Sequence, residues 1–454
     1  MAVISIIKSS SIPENKRIDA EYFQPKYLDF YKKIEGWNFL GEYIEPPING
    51  DDIRTYDDNG ERFYIRTGDI DFEGLHLDKI KKISSNNVLK VNIKINDVLF
   101  TRKGNYGKSA VVTEEVLNSA ISSEIMLLRL KSKNISPYYF NAFLDSKYGQ
   151  FQIERNIHGV SNFSITQDDV AKLQIVLLPD IYSKVDKLIK DSVQFKFSIG
   201  KLYQEAEQEL LERMGWDEID TKHILDYRAT SKDIFKNERI DPEFYQPKFE
   251  NLIKHLRKLG SRKLGDFCPI SNRGVQPKYD DSGEILVINS KHLGVTEIDI
   301  QSAKKTTKSF YNGTTTEKAR LNKFDILMYS TGAYVGRTNA YLEDAEAIGS
   351  NHISIIRPDT KICNPVYLAL FLNSPAGLMQ TDKRASGSAQ REIYPQDIVK
   401  YDVFIPEKNN KPDLEWQEKL AVKIIQAYEA KNQAKQKLQE AKELVEGEIG
   451  KLIN

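Results

Sequence analysis

Residues 17–27 read Arg-Ile-Asp-Ala-Glu-Tyr-Phe-Gln-Pro-Lys-Tyr, and residues 239–249 read Arg-Ile-Asp-Pro-Glu-Phe-Tyr-Gln-Pro-Lys-Phe. From 17 to 239 the distance is 222 positions, and nearly every position is identical or exchanges one aromatic residue for another. Self-similarity at a fixed distance is the mark of a repeated structural unit. The two stretches therefore predict that the chain contains two copies of one domain.

The similarity continues downstream at a distance of 228 positions. The run Asn-Asp-Val-Leu-Phe at 96–100, followed by Gly104 and Gly107, matches Phe-Asp-Ile-Leu-Met at 324–328, followed by Gly332 and Gly336. Further matches are 137–144 with 365–372, Gly159 with Gly387, and Ile165 with Ile393. Because the distance drifts only slightly over so long a stretch, the copies differ by small insertions in loops.

Composition narrows the class of protein. The 454 residues are 40% hydrophobic and 29% charged, which indicates two or three globular domains and excludes a disordered chain. Lys+Arg and Asp+Glu each number 65, so the formal net charge is zero. Zero net charge argues against a protein that bulk positive charge holds on nucleic acid, although local basic patches remain possible.

The number of cysteines and the hydropathy narrow the class of protein further. Cys268 and Cys363 are the only cysteines and form no CxxC or Cys/His cluster, which excludes a disulfide framework and argues against a structural zinc site. Apolar runs such as 366–372 are far shorter than the roughly 20 residues that span a bilayer. The start, Met-Ala-Val-Ile-Ser-Ile-Ile-Lys, is unlike a signal peptide. We expect a cytoplasmic protein in a reducing compartment.

Each copy ends in a segment with helical, heptad-like spacing of apolar residues. In 183–214 these are Leu188, Phe195, Ile199, Leu202 and Ala206, and in 414–449 they are Leu420, Ile424, Ala427, Ala434, Leu438, Ala441 and Val445. Because both seams are narrow and both copies have one, we favour two helices that pair with each other. The alternative is that each helix packs only on its own domain.

The domain bodies, roughly 38–180 and 260–406, combine short strands with a few helices. Strands are predicted at 62–66, 98–101, 125–129 and 174–178 in the first copy and at 285–288, 326–329 and 353–356 in the second. Residues 137–149 and 365–377 each predict a helix with Pro near its first position. The predicted fold class is α+β: two repeated α+β domains separated by two long helices that form an antiparallel coiled coil, with pseudo-two-fold symmetry.

Catalytic motifs are unconvincing. Gly104-Asn-Tyr-Gly107-Lys108 lacks the spacing of a phosphate-binding loop. Asn364-Pro365-Val366-Tyr367 is superficially similar to the Asn-Pro-Pro-Tyr motif of adenine methyltransferases, but its counterpart in the first copy has Ser136 in place of Asn. A helix start, with Asn364 as N-cap, fits both copies better. The carboxylates near Pro412-Asp413 also fit a helix start, so a binding protein is favoured.

Basic residues cluster locally around the glycine loops. The clusters are Lys94, Arg102, Lys103 and Lys108; Lys254, Arg257, Lys258, Arg262 and Lys263; and Lys383, Arg384 and Arg391 around Gly387. Lys and Arg mixed with Asn, Gln, Ser and Tyr suit DNA, because the cations bind phosphate and guanine while the amides bind adenine. Division at 216/217 leaves 29 basic against 31 acidic residues and then 36 against 34, so any DNA binding should be local.

These features resemble the DNA-specificity subunit of type I restriction–modification systems over essentially the whole chain. The motif at 17–27 is similar to the start of many such subunits. The run at 325–337 resembles the family's Asp-Ile-Leu…Gly…Gly-Lys/Arg element, and Ala385-Ser-Gly-Ser-Ala-Gln390 with Ile393 resembles its Gly-Ser-x-Gln-x-x-Ile element. Pro406 and the run at 415–420 are similar to the segment that enters the second helix. The first copy departs from this pattern, since 159–164 lacks the Gln and 178–183 lacks the Glu-Gln pair.

The resemblance implies a subunit without catalytic activity. It implies a first target-recognition domain at 1–180, a spacer helix at 181–216, a second target-recognition domain at 217–410 and a second spacer helix at 411–454. Each domain would read one half of a split site in double-stranded DNA. The helices would set the gap and dock two adenine-methyltransferase subunits, and restriction/motor subunits would join. S-adenosylmethionine, ATP and magnesium would belong to those partners, and this chain would bind no cofactor or metal of its own.

Candidate DNA contacts follow from the basic loops and the resemblance. In the first copy they are Arg66, Arg102, Lys103, Asn105, Tyr106 and Lys108; in the second they are Arg273, Lys291, Ser330, Thr331, Tyr334, Arg337, Ser388, Gln390 and Arg391. For Gly104, Gly107, Gly332 and Gly336 we expect tight turns with positive φ rather than DNA contact. Two alternatives remain: a methyltransferase or nuclease with unrecognised motifs, and a coiled-coil scaffold without a DNA role.

Overall fold

A computed structural model describes residues 7, 17–57, 59–72, 74–76, 80–159, 162–294, 297–387 and 390–453. Most of the amino-terminal stretch and Ser388 therefore lie outside the described residues. The chain divides into two compact units, of which the first contains residues 1–196 and 432–454 and the second contains residues 197–431. Within the described part of the chain, no helix is both long enough and apolar enough to cross a membrane.

The first unit contains five complete helices, the start of a sixth and eleven short strands among its described residues. Its helices are α1 (Pro25–Lys33), α2 (Leu40–Tyr43), α3 (Pro137–Asp145), α4 (Lys147–Asn156), α5 (Gln167–Ala171) and the start of α6 (Pro179–Met214). Its strands are β1 (Asn38–Phe39), β2 (Ile48–Asn49), β3 (Arg62–Ile65), β4 (Ile70–Asp71), β5 (Gly74–Leu75), β6 (Lys81–Ile83), β7 (Val98–Thr101), β8 (Ser109–Val111), β9 (Ala120–Ile121), β10 (Ile125–Leu128) and β11 (Gln174–Ile175).

The second unit contains the helices and strands that follow along the chain. Its helices, after the end of α6, are α7 (Ser231–Asn237), α8 (Pro247–Lys258), α9 (Leu264–Phe267), α10 (Lys308–Tyr311), α11 (Pro365–Asn373), α12 (Pro375–Arg384), α13 (Pro395–Ile398) and the start of α14 (Leu414–Ile453). Its strands are β12 (Arg262–Lys263), β13 (Ile270–Arg273), β14 (Ile285–Ile288), β15 (Lys304–Thr306), β16 (Arg320–Leu321), β17 (Ile326–Tyr329), β18 (Thr338–Ala340), β19 (Ala347–Gly349), β20 (Ile353–Arg357), β21 (Asp402–Val403), β22 (Glu407–Lys408) and β23 (Lys411–Pro412).

The two units have the same sheet topology. A four-stranded sheet has the order β2-β10-β7-β8 in the first unit and β13-β20-β17-β18 in the second. A smaller sheet has the order β6-β3-β9 in the first, and its counterpart β15-β14-β19-β16 gains one strand. In both smaller sheets one pair, β3 with β9 and β14 with β19, is parallel. The predicted α+β repeat is confirmed.

The four-stranded sheet of each unit packs against a helix of almost wholly apolar sequence. In the first unit Phe100 of β7 and Tyr139 and Phe143 of α3 are fully buried. In the second unit Met328 of β17 and Phe371 of α11 take the same places. Burial of aromatic and aliphatic side chains is the main favourable term of folding, so this layer fixes where the strand ends and their loops lie.

Two predicted helices are each split in two. The helix predicted over 137–149 breaks at Ser146, whose hydroxyl accepts a hydrogen bond from the Gly149 N–H at 3.3 Å and so begins α4. The helix predicted over 365–377 breaks at the matching Ser374, before Pro375. A Cβ on Gly149 would lie 2.4 Å from the Phe143 carbonyl oxygen, so the close return of the chain requires glycine.

The predicted strand at 174–178 is also shorter than expected. Only Gln174 and Ile175 pair, because the partner strand β1 contributes just Asn38 and Phe39. Beyond Ile175 the chain leaves the ladder and enters α6 at Pro179. The strands predicted at 98–101, 285–288 and 326–329 have the predicted bounds.

The long helices pack on a domain core and on each other. In the first unit Val185 of α6 and Val445 of α14 are fully buried in one cluster with α3. In the second unit Leu210 of α6 and Leu420 of α14 share a cluster with α11. Arg213 Nη2 lies 2.7 Å from Asp413 Oδ2, and Lys423 Nζ lies 3.2 Å from Glu209 Oε2. Both interpretations of the heptad seams are therefore correct at once.

Candidate nucleic-acid interface

In the first unit the loop that follows β7 meets the loop that precedes α5. The Ile165 N–H donates to the Arg102 carbonyl at 2.9 Å, and the Gly104 N–H donates to the Phe163 carbonyl at 3.3 Å. The Tyr106 and Phe163 rings lie 6.0 Å apart, centroid to centroid. Gly104 has φ +70° and Gly107 has φ +77°, which confirms tight turns that favour glycine.

In the second unit the same two loops meet in the same way. The Ile393 N–H donates to the Ser330 carbonyl, and the Gly332 N–H donates to the Arg391 carbonyl, both at 2.9 Å. Gly332 and Gly336 again have positive φ, at +126° and +96°. Each domain therefore presents one pair of crossed loops at the same end of its four-stranded sheet.

A third segment joins each pair of loops. It is a short 3-10 helix that follows the central strand of the smaller sheet, Thr67–Asp69 in the first unit and Ser290–His292 in the second. The Asn105 amide donates to the Ile70 carbonyl at 3.1 Å. In the second unit the Arg337 guanidinium donates to the Leu293 carbonyl at 3.2 Å. We call the crossed loops with this 3-10 helix the three-loop surface.

Arg273 holds the three-loop surface of the second unit together. Its Nη2 lies 2.6 Å from Glu392 Oε1 and 3.3 Å from Thr331 Oγ1, and its guanidinium carbon lies 4.8 Å from the centroid of the Tyr394 ring. Hydrogen bonds from Tyr394 and from Arg273 hold the pKa of Glu392 below its usual range. Sequence reasoning missed Glu392 and Tyr394, whose only signal was adjacency to the matched Ile393.

The first unit distributes its charges differently. Arg66 pairs with the buried Asp69 at 3.1 Å, while Lys103 lies 3.9 Å from Glu124. Arg102 donates to the Ser123 carbonyl at 3.4 Å. The Lys108 ammonium lies 3.2 Å from the centroid of the Phe72 ring, and burial lowers the pKa of Lys108.

The remaining predicted contacts differ in exposure. Lys291 and Gln390 are exposed, and Tyr334 is 56% exposed. Arg391 is exposed and donates to Asp382 at 2.8 Å, whereas Ser330 is fully buried and its hydroxyl lies 2.7 Å from that of Ser354. Apart from Ser388, which the structure does not describe, every predicted residue of the second copy lies in or beside the three-loop surface or in the strand next to it.

Among the residues that the structure describes, no group of three or more His, Cys, Asp and Glu side chains is placed to hold a metal ion. The two cysteines are buried, and burial raises the pKa of both thiols. Burial also lowers the pKa of His292, in the 3-10 helix of the second unit, to about 4. That side chain is therefore neutral at pH 7, and Asn289 donates its N–H to His292 Nδ1 at 3.1 Å.

Comparison with known proteins gives one family. Residues 257–443 match the family described as Type I restriction modification DNA specificity domain. No curated protein sequence matches significantly. A type I restriction–modification S subunit from M. genitalium shares 12% identity, with 92% of this chain and 96% of that chain covered and a TM-score of 0.43. The HsdS subunit from Thermoanaerobacter tengcongensis shares 19% identity, with 92% and 97% covered and a TM-score of 0.28.

The family match covers most of the second unit. The matched residues begin in α8 and end within α14, so they include the whole four-stranded sheet and the three-loop surface of the second unit. The first unit repeats that architecture strand for strand in its four-stranded sheet. Residues 257–443, less than half of the chain, are therefore similar to the type I restriction modification DNA specificity domain.

Proposed function

We propose that this chain is the non-catalytic DNA-specificity subunit of a type I restriction–modification complex, and that each domain reads one half of a bipartite site. The observation that carries the proposal is the three-loop surface. It occurs once in each unit, on the same backbone architecture but with different side chains. Tyr106 and Phe163 line it in the first unit, whereas Tyr334 and Arg391 line it in the second. A shared frame with different side chains suits two readers of different half-sites.

Domain limits and partners belong to the same proposal. Residues 1–180 and 217–410 are the two target-recognition domains, and residues 181–216 and 411–454 are the spacer helices. With 36 and 40 residues, α6 and α14 are roughly 54 and 60 Å long, which exceeds the roughly 34–36 Å between half-sites one helical turn apart. The helices dock two adenine-methyltransferase subunits, and restriction/motor subunits complete the complex. S-adenosylmethionine, ATP and magnesium bind those partners.

Domain exchange tests the two-reader proposal. Residues 1–180 are replaced by the corresponding domain of another specificity subunit, and the methylome of cells that also carry the methyltransferase is sequenced. We expect one half of the methylated site to change and the other half and the spacer to stay. Exchange of residues 217–410 is the matched control and should change the opposite half. A change in both halves, or in neither, would show that the domains do not read separately.

Shortening the helices tests their role as a spacer. Removal of seven residues from both α6 and α14 preserves the heptad seam and shortens each helix by about two turns. We expect an altered spacer between unchanged half-sites in the methylome. An unaltered spacer would mean that the helices do not set the gap.

The two alternatives have their own tests. The purified chain with magnesium, S-adenosylmethionine and DNA should give neither methylation nor cleavage, and turnover without partners would identify an enzyme. In a gel shift, the chain with its methyltransferase should prefer DNA that contains the methylated site. Equal binding to all duplexes would favour a scaffold.

A further inference from the structure

We propose that each domain also binds the DNA phosphate backbone through the edge strand of its smaller sheet. This inference rests on the proposed DNA function. The residues are Tyr56, Lys81 and Lys82 in the first unit and Tyr279, Lys304 and Lys305 in the second. We call each group the Tyr-Lys-Lys edge. None of these six residues belongs to the three-loop surface, and they recur at a common distance of 223 positions.

One turn builds this edge in both units. The Asp57 N–H donates to the Lys82 carbonyl at 2.9 Å, and the Asp280 N–H donates to the Lys305 carbonyl at 2.9 Å. The turn then closes in both copies, since Gly60 donates to the Asp57 carbonyl and Gly283 donates to that of Asp280. The tyrosine that precedes each aspartate is thereby held beside the lysine strand.

The tyrosines and lysines of the edge face solvent. Tyr56 is 47% exposed and Tyr279 is 48% exposed, and all four lysines are exposed. A cation lies over each ring, but it comes from a different place: Arg66 lies 5.9 Å from the Tyr56 centroid, and Lys304 lies 5.4 Å from the Tyr279 centroid. Each unit therefore places one half-exposed tyrosine and two exposed lysines at matched positions.

Two acidic residues that adjoin the edge, Asp57 and Asp280, accept hydrogen bonds within the turn. Asp57 Oδ1 accepts the Asn59 N–H at 3.0 Å, and Asp280 Oδ1 accepts the Ser282 N–H at 2.9 Å. Hydrogen bonds from Ser282, by its hydroxyl and its N–H, hold the pKa of Asp280 below its usual range. These carboxylates shape the turn and do not pair with the strand lysines in any contact that we observe among the described residues.

Edge protection alone does not account for this surface. β6 and β15 lie at the edge of their sheets, and lysines on an edge strand discourage pairing with another chain. That purpose needs charge of either sign and no exposed tyrosine. In the first unit the edge also adjoins the three-loop surface, because Arg66 lies over Tyr56 and precedes the Thr67–Asp69 helix to which Asn105 donates.

The chemistry fits the DNA backbone rather than the bases. Lysine binds phosphate as a point charge, and a tyrosine hydroxyl donates to phosphate oxygens. Such contacts position a protein on the duplex and act equally on every sequence. The edge therefore contributes affinity and salt dependence, whereas the three-loop surface contributes sequence choice.

Charge reversal tests the proposal on the full chain. Binding to a labelled random-sequence duplex is followed by fluorescence anisotropy across a salt titration. For K81E/K82E, and separately for K304E/K305E, we expect roughly tenfold weaker binding at low salt and a slope of log affinity against log salt that is smaller by about two, one for each lost phosphate contact. Y56F and Y279F keep the ring and should lose less than Y56A and Y279A.

The control has the same change in net charge elsewhere. K133E/K361E reverses two exposed lysines at matched positions after β10 and β20, and it should leave the slope unchanged. If the wild type binds and the edge variants bind with its affinity and slope, the Tyr-Lys-Lys edge is not a DNA contact, and the proposed function stands. If the wild type fails to bind any duplex, alone and with the methyltransferase, the proposed function and this inference both fall.

Discussion

At the scale of single residues, Arg273 illustrates how a predicted DNA contact can also be part of the frame. Its guanidinium bonds to Glu392 and Thr331 and to the Ile393 carbonyl at 3.3 Å, so it joins β13 to both crossed loops. Arg273→Ala removes these bonds and leaves Glu392 without its cation, while Thr331 and Tyr394 still donate to it. We expect a loss of about 1 kcal/mol in the free energy of unfolding, because both partners are partly exposed.

The measurement that separates the two roles of Arg273 is thermal unfolding together with the methylome. Lys291→Ala serves as the matched control, because Lys291 is exposed and lies in the same surface. The control should keep the stability of the wild type, and Arg273→Ala should lower it. Equal melting temperatures for wild type and Arg273→Ala would show that Arg273 does not hold the three-loop surface together.

Asp145 predicts a dependence of stability on pH. Burial raises the pKa of this carboxyl from 3.8 to about 8, and it accepts a hydrogen bond from Ser109 Oγ at 3.0 Å. The folded state therefore binds the proton more tightly than the unfolded chain. The stability that this group contributes is complete below pH 4 and is lost as the pH rises towards 8. Asp145→Asn should remove that loss and stabilise the chain by about 1–2 kcal/mol at pH 8.

The second copy supplies the reciprocal variant for this test. Asn373 occupies the matching position, where its Oδ1 accepts the Thr338 N–H at 2.8 Å and its amide donates to the Thr338 carbonyl. Asn373→Asp should destabilise the chain progressively as the pH rises. Melting temperatures at pH 5 and pH 8 measure both effects. Parallel pH profiles for wild type and Asp145→Asn would refute the assignment.

At the scale of elements, short sequence patterns predicted the strands and helix starts that neighbouring residues determine. Short, mostly apolar runs predicted the strands at 98–101 and 326–329. Asn364 with Pro365 predicted a helix start, in which Asn364 accepts the N–H groups of Val366 and Tyr367. The breaks at Ser146 and Ser374 were missed, because Ser146 caps α4 as α3 ends and Ser374 ends α11 directly before Pro375 begins α12. An apolar pattern does not distinguish one helix from two in succession.

The pairing of the long helices includes an ion pair between the half-buried Arg213 and the buried Asp413. Burial opposes the ionisation of Asp413, but hydrogen bonds from Arg213 and from the Trp416 N–H outweigh it and keep its pKa below the usual range. Arg213 also lies 4.3 Å from the centroid of the Trp416 ring.

Arg213→Ala leaves a buried carboxylate without its cation, and we expect a loss of about 2 kcal/mol in the free energy of unfolding. Lys419→Ala, whose ammonium pairs with Glu209 in solvent, should cost less than about 0.5 kcal/mol. Chemical denaturation measures both, and equal losses would contradict the special role of Arg213.

At the scale of the whole molecule, the repeat predicted the fold more completely than the candidate site. Two copies of one motif required two domains of one topology, whatever their loops contained. The three-loop surface depends on contacts between distant positions, such as Arg273 with Glu392, which lie 119 residues apart. Neither spacing nor composition brings such residues together, so the glycine loops were identified without their partners.

Net charge sets the last expectation for the whole molecule. With 65 basic and 65 acidic residues, this chain has no bulk attraction for DNA, and several of its site cations, Arg66 and Arg273 among them, pair with carboxylates. It should therefore bind a duplex weakly, with a salt slope that reports only a few phosphates at about 0.9 each. The complex with the methyltransferase should show a much steeper slope, because the partner subunits would supply most of the phosphate contacts. Salt titrations of the chain and of the complex on one duplex measure the difference. A slope for the chain alone as steep as that of the complex would mean that this subunit makes most of the phosphate contacts itself.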